Sequence, residues 1–302
     1  MRKLLIGAAV LLGGAFVTPA SANLSVFACE PEWGALSTEI GGDKVSVYTA
    51  TTGLQDPHQI QARPSLIAKA RAADITVCDG AELEIGWLPM IQQQADNSKI
   101  ANGQPGAFDA TSFVHLLEQP TALDRAQGDI HAAGNPHIQT DPHMMIPVGK
   151  ALAQRFAQID PGNAAYYQGR EADFEKRMTA AIAKWTAEAA PLKGQSIAVQ
   201  HHAWIYLERW LGLKEVVPLE PKPGVPPSSG YLAEVLQKLQ ANPAKFVIRA
   251  AYEDDRPATF VSEKAGIPAV VLPFTVGGDD QAKDLFSLYD DTINRLLAGL
   301  KK

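Results

Sequence analysis

The chain has 302 residues, with 27 Lys and Arg against 33 Asp and Glu, a formal charge of −6. Hydrophobic residues at 46% and charged residues at 20% are ordinary globular values and exclude a disordered or fibrous chain. The acidic balance, with no basic block, argues against nucleic acid as a partner, and two cysteines exclude a disulfide-built mini-domain or a four-cysteine zinc module.

Residues 1–22 read as a secretory signal peptide. Arg2 and Lys3 give the positive start, an apolar run extends from Leu4 to Val17, and Ala20-Ser21-Ala22 is a small-x-small cleavage site. The run is shorter than the roughly 20 residues that span a bilayer, so a cleaved leader is expected rather than an anchor. Cleavage would remove two cations and no acid, taking the charge from −6 to −8. Cys29 sits too far past Ala22 to serve as a lipidated first residue, so a free soluble protein of the periplasm is expected. An oxidising compartment allows Cys29 and Cys78 to pair. Each follows a strand-like run, and two neighbouring parallel strands would set the thiols side by side; two buried free thiols are the alternative.

In chain order, Leu24–Ala28 reads as a strand and Glu32–Ile40 as a helix closed by Gly41-Gly42. Val45–Thr49 alternates and is β-branched, Pro64–Ala72 is helical, Ile75–Cys78 is a strand, and Leu83–Gln94 is helical. Phe113–Leu117 is a short strand-like run. Phe174, Met178, Ile182, Trp185 and Ala189 recur at steps of three and four, the mark of one long amphipathic helix. The alternation then restarts: strand Ser196–Gln200, helix Ala203–Leu211, strand Glu215–Leu219, helix Tyr231–Gln240, strand Phe246–Ile248, helix Ala258–Lys264, strand Ala269–Leu272 and helix Gln281–Leu300. This predicts an α/β protein of two lobes, each with a mostly parallel sheet flanked by helices, joined by one long rigid helix. The expected units are leader 1–22, first lobe 23–160, linking helix 161–192 and second lobe 193–302.

Three of the seven histidines lie just after strands or in loops that open helices. They are His58 in Asp56-Pro-His58, His137 in Asn135-Pro-His137, and His201 after the strand Ser196–Gln200. Ligands bind at that edge of α/β lobes, and neutral imidazole is a common zinc ligand. Together they point to a metal site in the interlobe cleft. A fourth ligand is expected from the loop after Ala269–Leu272, where Asp279 and Asp280 follow Gly277-Gly278, although an acid there also suits a helix cap. His115 reads as a satisfied core or edge residue, and His131 and His143 as surface residues. Of the adjacent pair His201 and His202, only one is expected to reach the site. No HExxH, CxxC, nucleophile elbow or Walker loop is present.

The ordered set of motifs resembles the periplasmic metal-binding subunits of bacterial zinc and manganese ABC transporters, of the zinc-uptake type. The resemblance runs through Ile40–Val47, Asp56-Pro-His58, Pro64-Ser65, Asp74–Glu84 with Trp87-Leu88, Asn135-Pro-His137 with Asp141-Pro142, and His201–Leu207 with Gly212-Leu213. It implies His58, His137 and His201 as metal ligands, with an acid from the late loop, Asp280 ahead of Asp279. Three imidazoles and one carboxylate suit Zn²⁺ better than Mn²⁺. The family's third motif commonly reads His-Asp-Ala, where this chain has His201-His202-Ala203. The His- and acid-rich loop of some zinc-type members is absent between Leu88 and His137, which points to a separate metal donor, a periplasmic metallochaperone. The resemblance further implies a monomer that is not an enzyme and that delivers its ion to a membrane permease with its ATPase. The alternatives are a manganese importer, a zinc-dependent periplasmic hydrolase, and a storage or adhesion protein.

Overall fold

A computed structural model describes residues 23–120, 128 and 131–301; the expected leader, residues 1–22, lies outside them. The first lobe begins with strand β1 (Leu24–Ala28), helix α1 (Pro31–Gly41) and strand β2 (Val45–Thr49). Helix α2 (Pro64–Ala72), strand β3 (Ile75–Cys78), helix α3 (Leu88–Ala95) and strand β4 (Ala107–Asp109) follow. Proline in the first turn of α1, α2 and α3 starts each helix where a missing N–H costs nothing. Gly42, at φ +53°, ends α1 in the left-handed region.

Helices α4 (Pro142–Ile159) and α5 (Ala164–Glu188) pack together and lead to the second lobe. That lobe runs strand β5 (Ser196–Val199), helix α6 (Ile205–Leu211), strand β6 (Lys214–Pro218), helix α7 (Ser229–Ala241) and strand β7 (Val247–Ala250). Helix α8 (Asp255–Ala265), strand β8 (Ala269–Leu272) and helix α9 (Leu285–Leu300) complete it. Each lobe holds a four-stranded parallel sheet with the same spatial order, β2-β1-β3-β4 and β6-β5-β7-β8.

The 25-residue helix α5 buries Tyr167, Phe174, Met178, Ile182 and Trp185 on one face. Each of the larger side chains contributes roughly 1.5–3 kcal/mol of burial. The helix is bonded to both lobes: Arg170 donates to the Glu39 carbonyl at 2.7 Å, and Trp185 Nε1 to Asp290 at 2.6 Å. One hydrophobic core runs without a break from Leu24 and Val26 through α5 to Ile248 and Leu296.

Several sequence expectations are corrected. The fourth strand is Ala107–Asp109, paired with β3. Residues 113–117 form no strand, and His115 is exposed. Helix α3 starts at Leu88, because Ala81 and Glu82 take positive φ in the turns before it. Helix α9 starts at Leu285, because Asp284 and Ser287 form a capping box. Helix α4 is an additional element.

Strands β1 and β3 are neighbours, and Cys29 and Cys78, just past and at their ends, form a buried disulfide with Cα atoms 4.8 Å apart. The bridge closes a loop of 49 residues' separation, which should restrict the unfolded chain by about 4 kcal/mol. Denaturant melts of metal-free Cys29→Ala/Cys78→Ala against oxidised wild type should show a loss of about 3–4 kcal/mol; a loss under about 1 kcal/mol would contradict this entropic role.

Candidate metal centre

The turn Asp56-Pro57-His58 follows β2. Asp56 Oδ1 accepts from the His58 backbone N–H at 3.0 Å and bonds the His58 ring at Nδ1 at 2.9 Å. The same carboxylate oxygen therefore sets both the backbone and the ring. His58 Nε2 is buried with no partner, so its lone pair is free.

His137 is almost fully buried. Its backbone N–H donates to Asn135 Oδ1 at 3.1 Å, and Thr140 Oγ1 donates to its carbonyl at 2.9 Å. The Phe274 ring packs edge-on against it at 5.3 Å. His201 follows β5, and Glu220, just past β6, bonds its Nδ1 at 2.7 Å. Glu220 also accepts from the Gly224 backbone at 2.9 Å, which ties the loop after β6 to the same carboxylate.

These three imidazoles, two from the first lobe and one from the second, face one another across the cleft. Ring centroids are 5.4 Å apart for His58–His137, 5.6 Å for His58–His201 and 5.7 Å for His137–His201. His131, expected at the surface, joins them at 5.5 Å from His58 and 6.2 Å from His137. Ligand atoms of His58, His131 and His137 all lie within 4.8 Å of one another. A cavity of about 230 Å³ borders His131, His137, His201 and His202, and another of about 320 Å³ borders His58, His201, Asp56 and Glu220.

Burial, reinforced by the neighbouring imidazoles, holds His137 well below its ordinary pKa and brings His131 down to about 4. Both rings are therefore neutral at physiological pH, the form that binds a metal. Deeper in the first lobe, Glu30, Glu32, Asp79 and Glu84 are all buried. Desolvation lifts their carboxyls, Glu32 and Glu84 to about 7.

Asp280 is exposed and lines neither cavity beside the histidines. The Gly277-Gly278 turn is directed elsewhere: a Cβ on Gly53 would meet Gly278 N at 2.3 Å, so the turn abuts the first lobe's loop after β2. Asp279 is committed to the backbone N–H groups of Gln281 and Ala282, at 2.8 and 2.9 Å, and to Arg295 at 2.6 Å. His143 repeats the Asp-Pro-His turn, bonded to Asp141 at 2.7 Å, but lies against Trp210.

His202 points away from the cluster. Its Nε2 meets Glu118 of the first lobe at 2.7 Å and its Nδ1 meets Glu215 at 2.8 Å. These two hydrogen bonds push its pKa up to about 10. The pair ties the lobes beside the site, with Tyr206 donating to the Asn135 carbonyl at 2.7 Å and Tyr289 to the Gln139 carbonyl at 2.8 Å.

A family model described as zinc-uptake complex component A, periplasmic, matches residues 26–299. The zinc-binding lipoprotein AdcA of Streptococcus pneumoniae serotype 4 is 25% identical over 241 residues, 78% of this chain and 46% of AdcA. The chain thus spans about half the length of that relative. The manganese ABC transporter substrate-binding lipoprotein PsaA of the same organism is 22% identical over 293 residues, 94% of this chain and 92% of PsaA. In fold, the chain is similar to a crystal structure of ZnuA, with a TM-score of 0.76 and 20% identity over 92% of this chain and 99% of the other. FpvC from Pseudomonas aeruginosa in complex with Mn²⁺ superposes at a TM-score of 0.78 with 21% identity, over 92% and 99% of the two chains.

His202 carries a pH signature in the metal-free protein. Its folded pKa, about 10, lies above the unfolded value near 6.5, so its contribution is full below about pH 6.5 and is lost as pH rises toward 10. The stability gap between wild type and His202→Ala should therefore narrow from about pH 6 to about pH 9.5 in denaturant melts, and a gap that widens would contradict a charged His202.

Proposed function

The chain belongs to the zinc-uptake component A family of periplasmic binding proteins, and from that premise we propose that it captures Zn²⁺ in the interlobe cleft for delivery to an ABC importer. The family comprises substrate-binding proteins of metal ABC transporters, which work with a membrane permease and an ATPase; it is not a family of enzymes. The observation that carries the zinc reading is the convergence of His58, His137 and His201 from both lobes, with ring centroids 5.4 to 5.7 Å apart. Imidazole nitrogens suit a borderline ion such as Zn²⁺ better than a hard ion such as Mn²⁺, which favours carboxylate and water oxygens.

Asp56 and Glu220 behind the rings orient them and raise their basicity, as carboxylates behind metal-binding histidines generally do. Their two negative charges also balance a dication. The protein acts in the periplasm after cleavage near Ala22, as a monomer, and receives zinc from a separate donor. Cys29 is bonded to Cys78 and so carries no lipid. Among the described residues, no helix is long and apolar enough to cross a membrane.

Titration of chelator-stripped protein with Zn²⁺ competed against Mn²⁺ tests the reading. One tight Zn²⁺ site is expected, weakened on the order of 100-fold or more in His58→Ala, His137→Ala or His201→Ala. Asp56→Asn and Glu220→Gln should each weaken it by about 10–100-fold, and acid should weaken it as protons compete for the imidazoles. Tighter binding of Mn²⁺ would change the cargo, and indifference to all three histidines would refute the site.

A further inference from the structure

We infer that His131 supplies the fourth bond to the cargo ion, so that the ion is held by four imidazoles and no carboxylate, a shell that discriminates sharply against Mn²⁺. This rests on the metal-capture reading of the cleft and deepens it.

The geometry of the rings carries the inference. Four Zn–N bonds of about 2.0–2.1 Å at tetrahedral angles place imidazole centroids about 5.2 Å apart. The longer bonds and right angles of an octahedral ion would bring neighbouring centroids to about 4.8 Å. The three expected ligands stand 5.4, 5.6 and 5.7 Å apart, near the tetrahedral spacing and slightly open. His131 stands 5.5 Å from His58, within that same range, and 6.2 Å from His137. A shift of under about 1 Å brings it to the tetrahedral distance from His137 as well.

His131 is also held in place. The next residue anchors the chain, with Ala132 N–H donating to Glu82 at 3.2 Å. His131's own carbonyl accepts from Gly134 N–H at 3.2 Å. That tight turn needs glycine: Gly134 has φ +121°, and a Cβ there would meet the Leu117 carbonyl oxygen at 2.6 Å.

Four acids that could compete are engaged or remote. Asp56 and Glu220 are bonded to the Nδ1 atoms of His58 and His201. Asp279 is ion-paired with Arg295, and Asp280 is exposed in a turn directed at Gly53. An all-nitrogen shell favours Zn²⁺, with Co²⁺, Ni²⁺ and Cu²⁺ also accepted, and offers Mn²⁺ none of the oxygen ligands it prefers.

The test is competitive titration of chelator-stripped His131→Ala, His131→Gln and Asp280→Ala with Zn²⁺ and Mn²⁺, together with visible absorption of the Co²⁺-loaded proteins. Thermal melts of the metal-free variants control for folding. His131→Ala and His131→Gln should lose on the order of 100-fold in Zn²⁺ affinity, and the Co²⁺ bands should weaken and shift as water replaces an imidazole. Asp280→Ala should stay within about threefold of wild type on both counts. His131→Glu should narrow the gap between Zn²⁺ and Mn²⁺ by at least about tenfold, because it restores a carboxylate. Zn²⁺ affinity and Co²⁺ spectrum unchanged in His131→Ala, or a loss above tenfold in Asp280→Ala, would overturn the inference while leaving zinc capture standing. Failure of His58→Ala, His137→Ala and His201→Ala to weaken binding would instead bring down the metal-capture reading, and this inference with it.

Discussion

The cleft depends on a fixed separation between two sheets, and helix α5 sets that separation. Its apolar face is buried in a core shared by both lobes, and its polar edge is bonded to α1 at one end and α9 at the other. A hinge would have to break this core, at a cost of several kilocalories per mole. Imidazoles contributed by both lobes can keep ring spacings of 5.4 to 5.7 Å only if the two supporting lobes do not drift. Rigidity of the spine and precision of the cluster are one requirement.

Identical topology in the two lobes has been put to different uses. In each sheet the chain runs outward from the first strand, then returns to its other side, so a crevice opens between the first and third strands at their carboxyl ends. In the second lobe that crevice lies between β5 and β7, and His201 follows β5 there. In the first lobe the corresponding crevice is closed by the Cys29–Cys78 bridge, with buried Glu30 and Asp79 next to it in sequence. The first lobe therefore supplies its imidazoles from longer loops, after β2 and before α4. This is why three of the four clustered histidines come from the first lobe's longer loops.

Among the described residues, seven of the eight strands and the long helix were legible in the sequence because each is a β-branched or amphipathic run with clear ends. The misses have local causes. Strand β4 has only three residues, too few for a period to show, and the more apolar run at 113–117 drew the assignment instead. Helix α4 contains Pro147 and Gly149, which mask its period, although Asp141 caps it through a 2.9 Å bond to His143 N–H. The Asp-Pro-His turn occurs twice with the same internal hydrogen bonds, once at the histidine cluster and once as this cap. Local sequence cannot separate the two; only the fold brings His58 to other imidazoles and His143 to Trp210. His131 was missed for the complementary reason, since no flanking pattern marks it and its partners lie in distant segments. Asp280 lies apart from the histidines in this structure: a Gly-Gly pair signals close backbone approach without naming the neighbour, which here is Gly53.

The departure at His202 fits the charge balance of the cleft. Resemblance to the family places an acid beside the third ligand, and this chain places a cation there, within electrostatic reach of His137. An unbalanced imidazolium would repel an incoming dication. Glu118 and Glu215 are bonded to its two nitrogens, so the group as a whole carries net negative charge rather than positive. Asp56 and Glu220 add two more negative charges directly behind the imidazoles. The acids have thus moved from the place beside the third ligand to positions behind the rings and across the lobe boundary. There they can neutralise a dication from behind the imidazoles.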